Sequence, residues 1–271
     1  MILSPDIVNS LAESLFEAEE SRKQVGLLTA AYPQMTMDDA YAVQARLVEL
    51  KLAAGREQHG WKIGLTSKAM QYALNIDIPD SGILFDDMFF KQNSVIPDKR
   101  FIQTRIEAEI AFIMARPLKC AAGESPSRQA VIEATESIAP ALEILDTRIV
   151  RADPKTGASR KIFDTISDNA ANAGIVLGDQ RHRITDVDLR WVGAIVEKNG
   201  EVEETGLGAG VLNDPVTGIV WLVERLAEYG KGLEAGDVVL SGSFIRPVEA
   251  GSGDRIDADF GSFGSVNCSF A

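Results

Sequence analysis

Two apolar runs that each carry acid constrain this chain more than anything else in it. Residues 106–114 read Ile-Glu-Ala-Glu-Ile-Ala-Phe-Ile-Met, and residues 140–145 read Pro-Ala-Leu-Glu-Ile-Leu. Both have the composition of buried strands. Residues two apart on a strand share a face, so Glu107 and Glu109 project side by side, roughly 6–7 Å apart at the backbone. Burying an ionised carboxylate is costly unless positive charge meets it. A sheet with one wet face would let each glutamate alternate outward. Against that, Ala111 and Ile113 continue the glutamate face as apolar residues, and Glu143 repeats the anomaly in a second run. Three converging carboxylates suit a hard divalent cation, which takes oxygen ligands and keeps positions open for water or substrate. Glu107, Glu109 and Glu143 are therefore the candidate metal ligands.

Charge narrows the partners. The formal net charge of −13 argues against nucleic acid, which needs surplus Lys and Arg. An anionic substrate would meet an opposing global field, so a metal ion or local basic residues must reverse the sign at the site. With His59 and His182 the only histidines, a three-histidine zinc centre is impossible. Cys120 and Cys268 do not make a disulfide framework. No apolar stretch approaches a membrane span, and the N-terminus lacks the pattern of a signal peptide. The expected location is the cytoplasm.

Across 271 residues the expectation is one catalytic unit, helical over 1–55 and β-rich over 60–271. Ser4-Pro5-Asp6 looks like an N-cap with proline at the first helical position, opening a helix to about Arg22. Thr36-Met37-Asp38-Asp39 resembles a capping box. Met37, Tyr41, Val48 and Leu52 then share a helical face, with Gly55 as terminator. Beyond Gly60 short apolar runs are broken by Gly, Pro and Asp, which reads as strands and turns. Short helices are expected over 67–74, 125–137 and 216–229, and a polar loop over 151–161. Gly206-Leu207-Gly208-Ala209-Gly210 lacks the spacing and context of a phosphate loop.

The order of motifs is distinctive: GWKIGLTSKAMQ, PDSGILFDDMFF, RIEAEIAFIMARPL, PALEILDTRI, DTISDNAANAGIVLG, NGEVEETGLGAGVLNDP and LEAGDVVLSGSF. Nearly end to end, the chain resembles the hydratase and decarboxylase branch of the fumarylacetoacetate hydrolase superfamily. The resemblance implies an α+β fold, with a distorted β-rich fumarylacetoacetase-like core and N-terminal helices. It also implies Mg2+ or Mn2+ on Glu107, Glu109 and Glu143, a homo-oligomer, and a small 2-oxo dicarboxylate as substrate. Met88-Phe89-Phe90 and the stretch Ile166 to Gly174 point, within that branch, to the homoprotocatechuate route. The implied activity is addition of water to 2-oxohept-4-ene-1,7-dioate, giving 4-hydroxy-2-oxoheptanedioate. Alternatives are a 4-oxalocrotonate-type decarboxylase, a 2-hydroxypenta-2,4-dienoate hydratase, or a non-catalytic partner subunit of such an enzyme. The family's ring-cleaving hydrolases activate water with a His–Glu pair, which this chain has little to supply.

Further residues take roles from the same resemblance. Lys62, mid-strand between apolar neighbours, needs a partner if buried and could bind the substrate carboxylate or donate a proton; a snorkelling surface lysine is the alternative. Asp80, in a Pro-Asp-Ser-Gly stretch that reads as a turn, is a candidate acid or base. Ser243 could hydrogen-bond the proximal carboxylate, and Asp168 and Asn169 could wall the pocket. Apart from the resemblance, the loop with Arg151, Lys155, Arg160 and Lys161 against Asp153 is locally basic. Arg160 and Lys161, or Arg148 beside the loop, are expected to attract the distal carboxylate.

Overall fold

Helix caps written into the first 55 residues set the N-terminal layer. The computed structural model describes residues 2–68, 71, 72, 76 and 78–271. Ser4 caps α1 (Pro5–Ser21), its Oγ accepting from the Ile7 N–H at 3.4 Å, and Arg22 in the left-handed conformation stops it. After the single turn of α2 (Leu28–Ala31), α3 (Met37–Ala53) opens with the expected capping box of Thr36 and Asp39. Along α3 Tyr41 and Val48 are buried as anticipated, whereas Leu52 is exposed. Ala40, Gln44 and Leu47 point inward instead, so the buried stripe is rotated from the expected face. Leu11, Leu15, Val43 and Leu47 share an apolar cluster with Ile149 and Ile166. Gln44 Nε2 donates to the carbonyls of Ser81 (2.7 Å) and Ile166 (3.1 Å), seating the helices on the β-rich body.

That body holds two sheets. The larger joins β1 (Gln58–Gly64), β2 (Asp80–Phe85), β3 (Phe89–Lys91), β5 (Arg105–Met114), β6 (Thr135–Leu145), β7 (Asn172–Leu177) and β10 (Val238–Leu240) in the order β2-β1-β10-β5-β6-β7-β3. A further short strand, β11 (Val248–Glu249), pairs with the start of β5. The smaller sheet runs β4-β13-β12-β8-β9, from β4 (Val95–Ile96), β8 (Gly193–Lys198), β9 (Glu201–Leu207), β12 (Arg255–Asp259) and β13 (Ser265–Phe270). Ile- and Ala-rich β5 and β6 are buried over most of their length, as their composition demands. The remaining helices are α4 (Arg128–Ala134), α5 (Ile162–Ser167) and α6 (Pro215–Ala227).

Three boundaries differ from expectation. The helix expected over 125–137 stops at Ala134, because Thr135 opens the long ladder in which Ile138 pairs with Phe112 and Ala139 with Ala111. Asp80 is the first residue of a buried strand, paired with Gly64, rather than a turn residue. The last long helix begins at Pro215, where the Asp214 carboxylate accepts from Val216 N–H at 3.0 Å, and ends at Ala227. Part of the short helix expected over 67–74 lies outside the described residues. Among the described residues no helix is long and apolar enough to cross a membrane.

Asp39 ties the N-terminus to α3. Its carboxylate accepts from the N–H groups of Ile2 (2.8 Å), Leu3 (2.9 Å) and Thr36 (2.9 Å) and from Thr36 Oγ1 (2.6 Å). Burial by itself would raise its pKa, yet these donors outweigh burial and hold it at about 2. Its contribution to stability is thus complete above the ordinary value of 3.8 and is lost as pH falls through about 2. Asp39→Ala should lower the unfolding free energy by about 2–3 kcal/mol in urea titrations at neutral pH. A change under half of that would refute this anchoring role.

Candidate active site

Strand register alone brings the predicted acids together. β5 and β6 run antiparallel with Glu107 directly opposite Glu143. On the other flank Ala111 pairs with Leu240, Leu240 with Lys62, and Gly64 with Asp80. Laterally paired residues share a face, as do residues two apart on one strand. Asp80 on the edge strand β2, Lys62 on β1, Glu107 and Glu109 on β5 and Glu143 on β6 therefore project from the same side of the sheet. One carboxylate oxygen from each of the three glutamates lies within 4.8 Å of the others. Lys62, 3% exposed, places Nζ 3.3 Å from Glu143 Oε1. It is a buried, paired lysine and not a snorkelling one. A side chain at Gly64 would run into the Asp80 carboxylate, so glycine is what admits that acid to the cluster.

Glu109 Oε2 accepts from the Gly242 N–H at 2.8 Å. Glu109 Oε1, both oxygens of Glu143 and Asp80 Oδ1 are buried with no hydrogen-bond partner among the described residues. Oxygens so placed fit a hard divalent cation, whose charge would offset carboxylates that one lysine cannot balance. Burial raises the pKa of all three glutamates. Repulsion from Glu143 adds to this at Glu107, lifted to about 7, and at Glu109. Asp80 is likewise raised by burial, against the pull of Lys62. Burial would lower Lys62, but Glu143, Asp80, Glu107 and Glu109 together hold it above its usual value, so it stays charged.

A cavity of about 650 Å³ opens on this face. Lys62, Asp80, Glu107 and Ser243 line it, and so do Arg105, Arg151, Arg160 and Lys161. The Ser243 hydroxyl donates to the Ile245 carbonyl at 3.0 Å. Five cationic residues against two lining carboxylates reverse the sign of the chain's overall charge at this point.

Three candidates are not brought to the cavity. Arg148, 1% exposed, is held inside the protein: its Nε donates to Asp168 Oδ1 at 2.5 Å, Nη2 to the Asp168 carbonyl at 2.7 Å and Nη1 to the Asn172 carbonyl at 3.2 Å. Asp168 is fully buried, and its second oxygen accepts from the Arg148 N–H at 2.9 Å. Opposite charges out of water must meet, and these two meet each other. Asn169 pairs like a strand residue with Ile83, accepting from its N–H (2.8 Å) and donating to its carbonyl (2.9 Å). That clamp sustains three successive left-handed residues, Asn169, Ala170 and Ala171, with φ of 50°, 54° and 58°. Ala170 and Ala171 then form the wall that the two polar residues were expected to form.

Arg105 escaped the sequence reading, although the period of two that links Glu107 to Glu109 extends back to it. His59 is exposed, and His182 stacks on Phe263 and contacts its carbonyl; neither lines the cavity.

Three carboxylates converging from adjacent strands beside a cavity could hold a metal ion, and comparison with known proteins assigns the chain's family. Residues 61–271 match the model of the fumarylacetoacetate (FAA) hydrolase C-terminal family, and the chain belongs to that family. It is 50% identical over 260 residues to the 2-oxo-hept-4-ene-1,7-dioate hydratase of Escherichia coli, covering 96% of each chain. It is 37% identical to the 2-keto-4-pentenoate hydratase of Paraburkholderia xenovorans, over 99% of this chain and 96% of that one. Among solved structures it superimposes on 4-oxalocrotonate decarboxylase from Pseudomonas putida G7, complexed with magnesium and adipate. That match has a TM-score of 0.91, 32% identity and 99% coverage of both chains.

Two measurements check this geometry. Raised carboxylate pKa values mean that the folded state holds protons the unfolded chain has lost, so stability must fall as pH rises through that window. In chelator-treated protein the Tm should drop between about pH 5 and about pH 8; a flat or rising profile would contradict the cluster. Arg148→Ala, which strands Asp168 in the interior, should cost about 3–5 kcal/mol in urea unfolding. Wild-type stability in that variant would return Arg148 to the list of free side chains.

Proposed function

We propose that this protein is a metal-dependent hydratase that converts 2-oxohept-4-ene-1,7-dioate, by way of its dienol 2-hydroxyhepta-2,4-dienedioate, into 4-hydroxy-2-oxoheptanedioate. The observation that carries this is the convergence of Glu107, Glu109 and Glu143, with buried Glu109 and Glu143 oxygens making no hydrogen bond among the described residues, beside a cavity lined by Glu107, Lys62 and Asp80. Half-identity to a hydratase of that substrate supports it. Glu107, Glu109 and Glu143 would hold Mg2+ or Mn2+, consistent with the magnesium in the related decarboxylase. When bound, the cation supplies a Lewis acid for the carboxylate and 2-oxygen of a 2-oxo acid.

The chain's own groups handle position and protons. Lys62, kept charged by four acids, donates hydrogen bonds to the bound 2-oxo acid. Ser243 offers its hydroxyl to the proximal carboxylate once the O–H turns away from the Ile245 carbonyl. Asp80, with a raised pKa and a free buried oxygen, moves protons. The enol O–H is lost and a proton is gained at C5, leaving a double bond conjugated with the 2-oxo group. Water then adds its oxygen at C4 and a proton arrives at C3, so one water is consumed and no covalent enzyme intermediate is required. On this reading residues 1–271 act as one catalytic unit, a cytoplasmic homo-oligomer in homoprotocatechuate breakdown.

A decarboxylase would use the same carboxylates, and the superposition on 4-oxalocrotonate decarboxylase favours it as second reading. Mass spectrometry of the purified chain with Mg2+ separates the two: the dienedioate should gain one water and release no carbon dioxide. Chelation should abolish turnover, Mg2+ or Mn2+ should restore it, and Asp80→Asn should lower kcat by about 10²- to 10⁴-fold. Loss of carbon dioxide, or full rate in chelator, would reject the proposal. Inactivity of the lone chain would favour a non-catalytic partner subunit.

A further inference from the structure

Two guanidinium groups at the cavity wall form no ion pair among the described residues. Arg105 opens β5 one inward-facing position before Glu107, and its half-buried side chain keeps Nε without a hydrogen-bond partner among the described residues. Arg160 stands at the base of the 151–161 loop, half-buried, with Nη1 equally unpartnered. The loop holds its own shape: Ala152 bridges to Ser159, Asp153 Oδ1 accepts from Lys155 N–H (2.7 Å) and Thr156 N–H (2.9 Å), and Arg160 N–H donates to the Arg151 carbonyl at 2.9 Å. Arg160 is therefore presented by an ordered turn.

Nearby acids have other partners. Both oxygens of Asp168 are taken by Arg148, Glu249 pairs with Arg151 at 2.7 Å, and Glu107 belongs to the carboxylate cluster. Burial lowers the pKa of both arginines. Arg151 repels both groups and Arg105 repels Arg160, while Glu107, Glu249 and Glu143 attract Arg105 and Asp168 attracts Arg160. A guanidinium does not deprotonate in a protein, so the imbalance calls for an anion. Lys161 lines the same cavity but is exposed, which moves the emphasis from the loop's lysine to Arg105.

We infer that Arg105 and Arg160 seat the distal carboxylate of the substrate and so select a dicarboxylic over a monocarboxylic 2-hydroxydienoate. This rests on the hydratase reading above. The planar fork of each arginine suits a carboxylate, and a cavity lined both by Glu107 of the glutamate cluster and by two arginines matches a molecule bearing a 2-oxo acid and a second carboxylate.

The test compares Arg105→Gln, Arg160→Gln and Arg105→Lys with the wild-type holoenzyme on 2-hydroxyhepta-2,4-dienedioate and 2-hydroxypenta-2,4-dienoate. Each glutamine variant should lose on the order of 10- to 100-fold in kcat/KM on the dienedioate, chiefly through KM. That loss should exceed the loss on the pentadienoate at least tenfold, and Arg105→Lys should recover part of it. Equal losses on both substrates, or none, would overturn the inference. Calorimetric binding of adipate and of hexanoate in the presence of Mg2+ separates this idea from the reading beneath it. Should wild type turn over neither dienoate, the hydratase reading fails. The anion seat then stands if adipate binds tighter than hexanoate and the glutamine variants erase the difference, and it falls if they do not.

Discussion

Like charges forced onto one face of a buried sheet are the constraint from which the rest of this structure follows. Glu107, Glu109 and Glu143 cannot all be ionised in a dry interior without compensation, and Lys62 supplies only one positive charge. The fold does not avoid the conflict by turning a glutamate outward. It holds the conflict in place through the register of β2, β1, β10, β5 and β6. Because the side-chain period is two, a slip of one residue in the β5–β6 ladder would send Glu107 and Glu109 to the opposite face and break their alignment with Glu143. The apolar majority of these strands prevents the slip, since Ile106, Ala108 and Ile110 are wholly buried in the current register.

Keeping such a face open demands unusual backbone nearby. Asn169, Ala170 and Ala171 adopt a left-handed turn that alanine disfavours by roughly 1–2 kcal/mol per residue. The turn persists because Asn169 is bonded at both ends of its amide to Ile83, and because Arg148 grips Asp168 immediately before it. The ion pair, the amide clamp and the strained turn make one unit. Its effect is to leave two small methyl side chains at the cavity wall while the polar groups of the same segment face inward. Strain of this kind persists where the surroundings over-determine it, commonly at functional sites.

The sequence made the carboxylate set legible because strands translate spacing directly into facing. Glu107 and Glu109 needed only the alternation rule, and Glu143 stood out as the one acid in a second apolar run. Lys62 was ambiguous between a buried and a surface role until pairing with β10 and β2 put it on the glutamate face. Arg148, Asp168 and Asn169 were misplaced for a common reason. Local sequence marks a charged residue as notable but does not say whether its partner is a ligand or another part of the chain. Their distance in sequence, 20 residues between Arg148 and Asp168, hides the pairing. The N-terminal caps were legible for the opposite reason: Ser4, Thr36 and Asp39 act on neighbours within a few residues. The strand that displaces the end of the helix expected over 125–137 reflects pairing with β5, a contact no local propensity contains.

The remaining physical question is how a strongly acidic protein admits an anion. Long-range attraction is unavailable, since a net charge of −13 repels a dicarboxylate at a distance and salt screens that repulsion only beyond about 10 Å at 0.1 M. Recognition must then be local and short-ranged, and the cavity is built that way. Its cations come from separate elements: Lys62 from β1, Arg105 from β5, and Arg151, Arg160 and Lys161 from one loop. Only Lys62 among them is paired with a carboxylate of the cluster, and Arg151 is drawn to Glu249 at the surface. The unneutralised part of the positive charge is therefore concentrated where β5 begins, at the opposite end of the glutamate row from Ala111. A substrate with one charged end would satisfy the glutamate end of the cavity and leave the arginines uncompensated, whereas a substrate charged at both ends relieves both imbalances at once. Selectivity of the site then arises from desolvated positive charge that the chain's own carboxylates leave uncompensated.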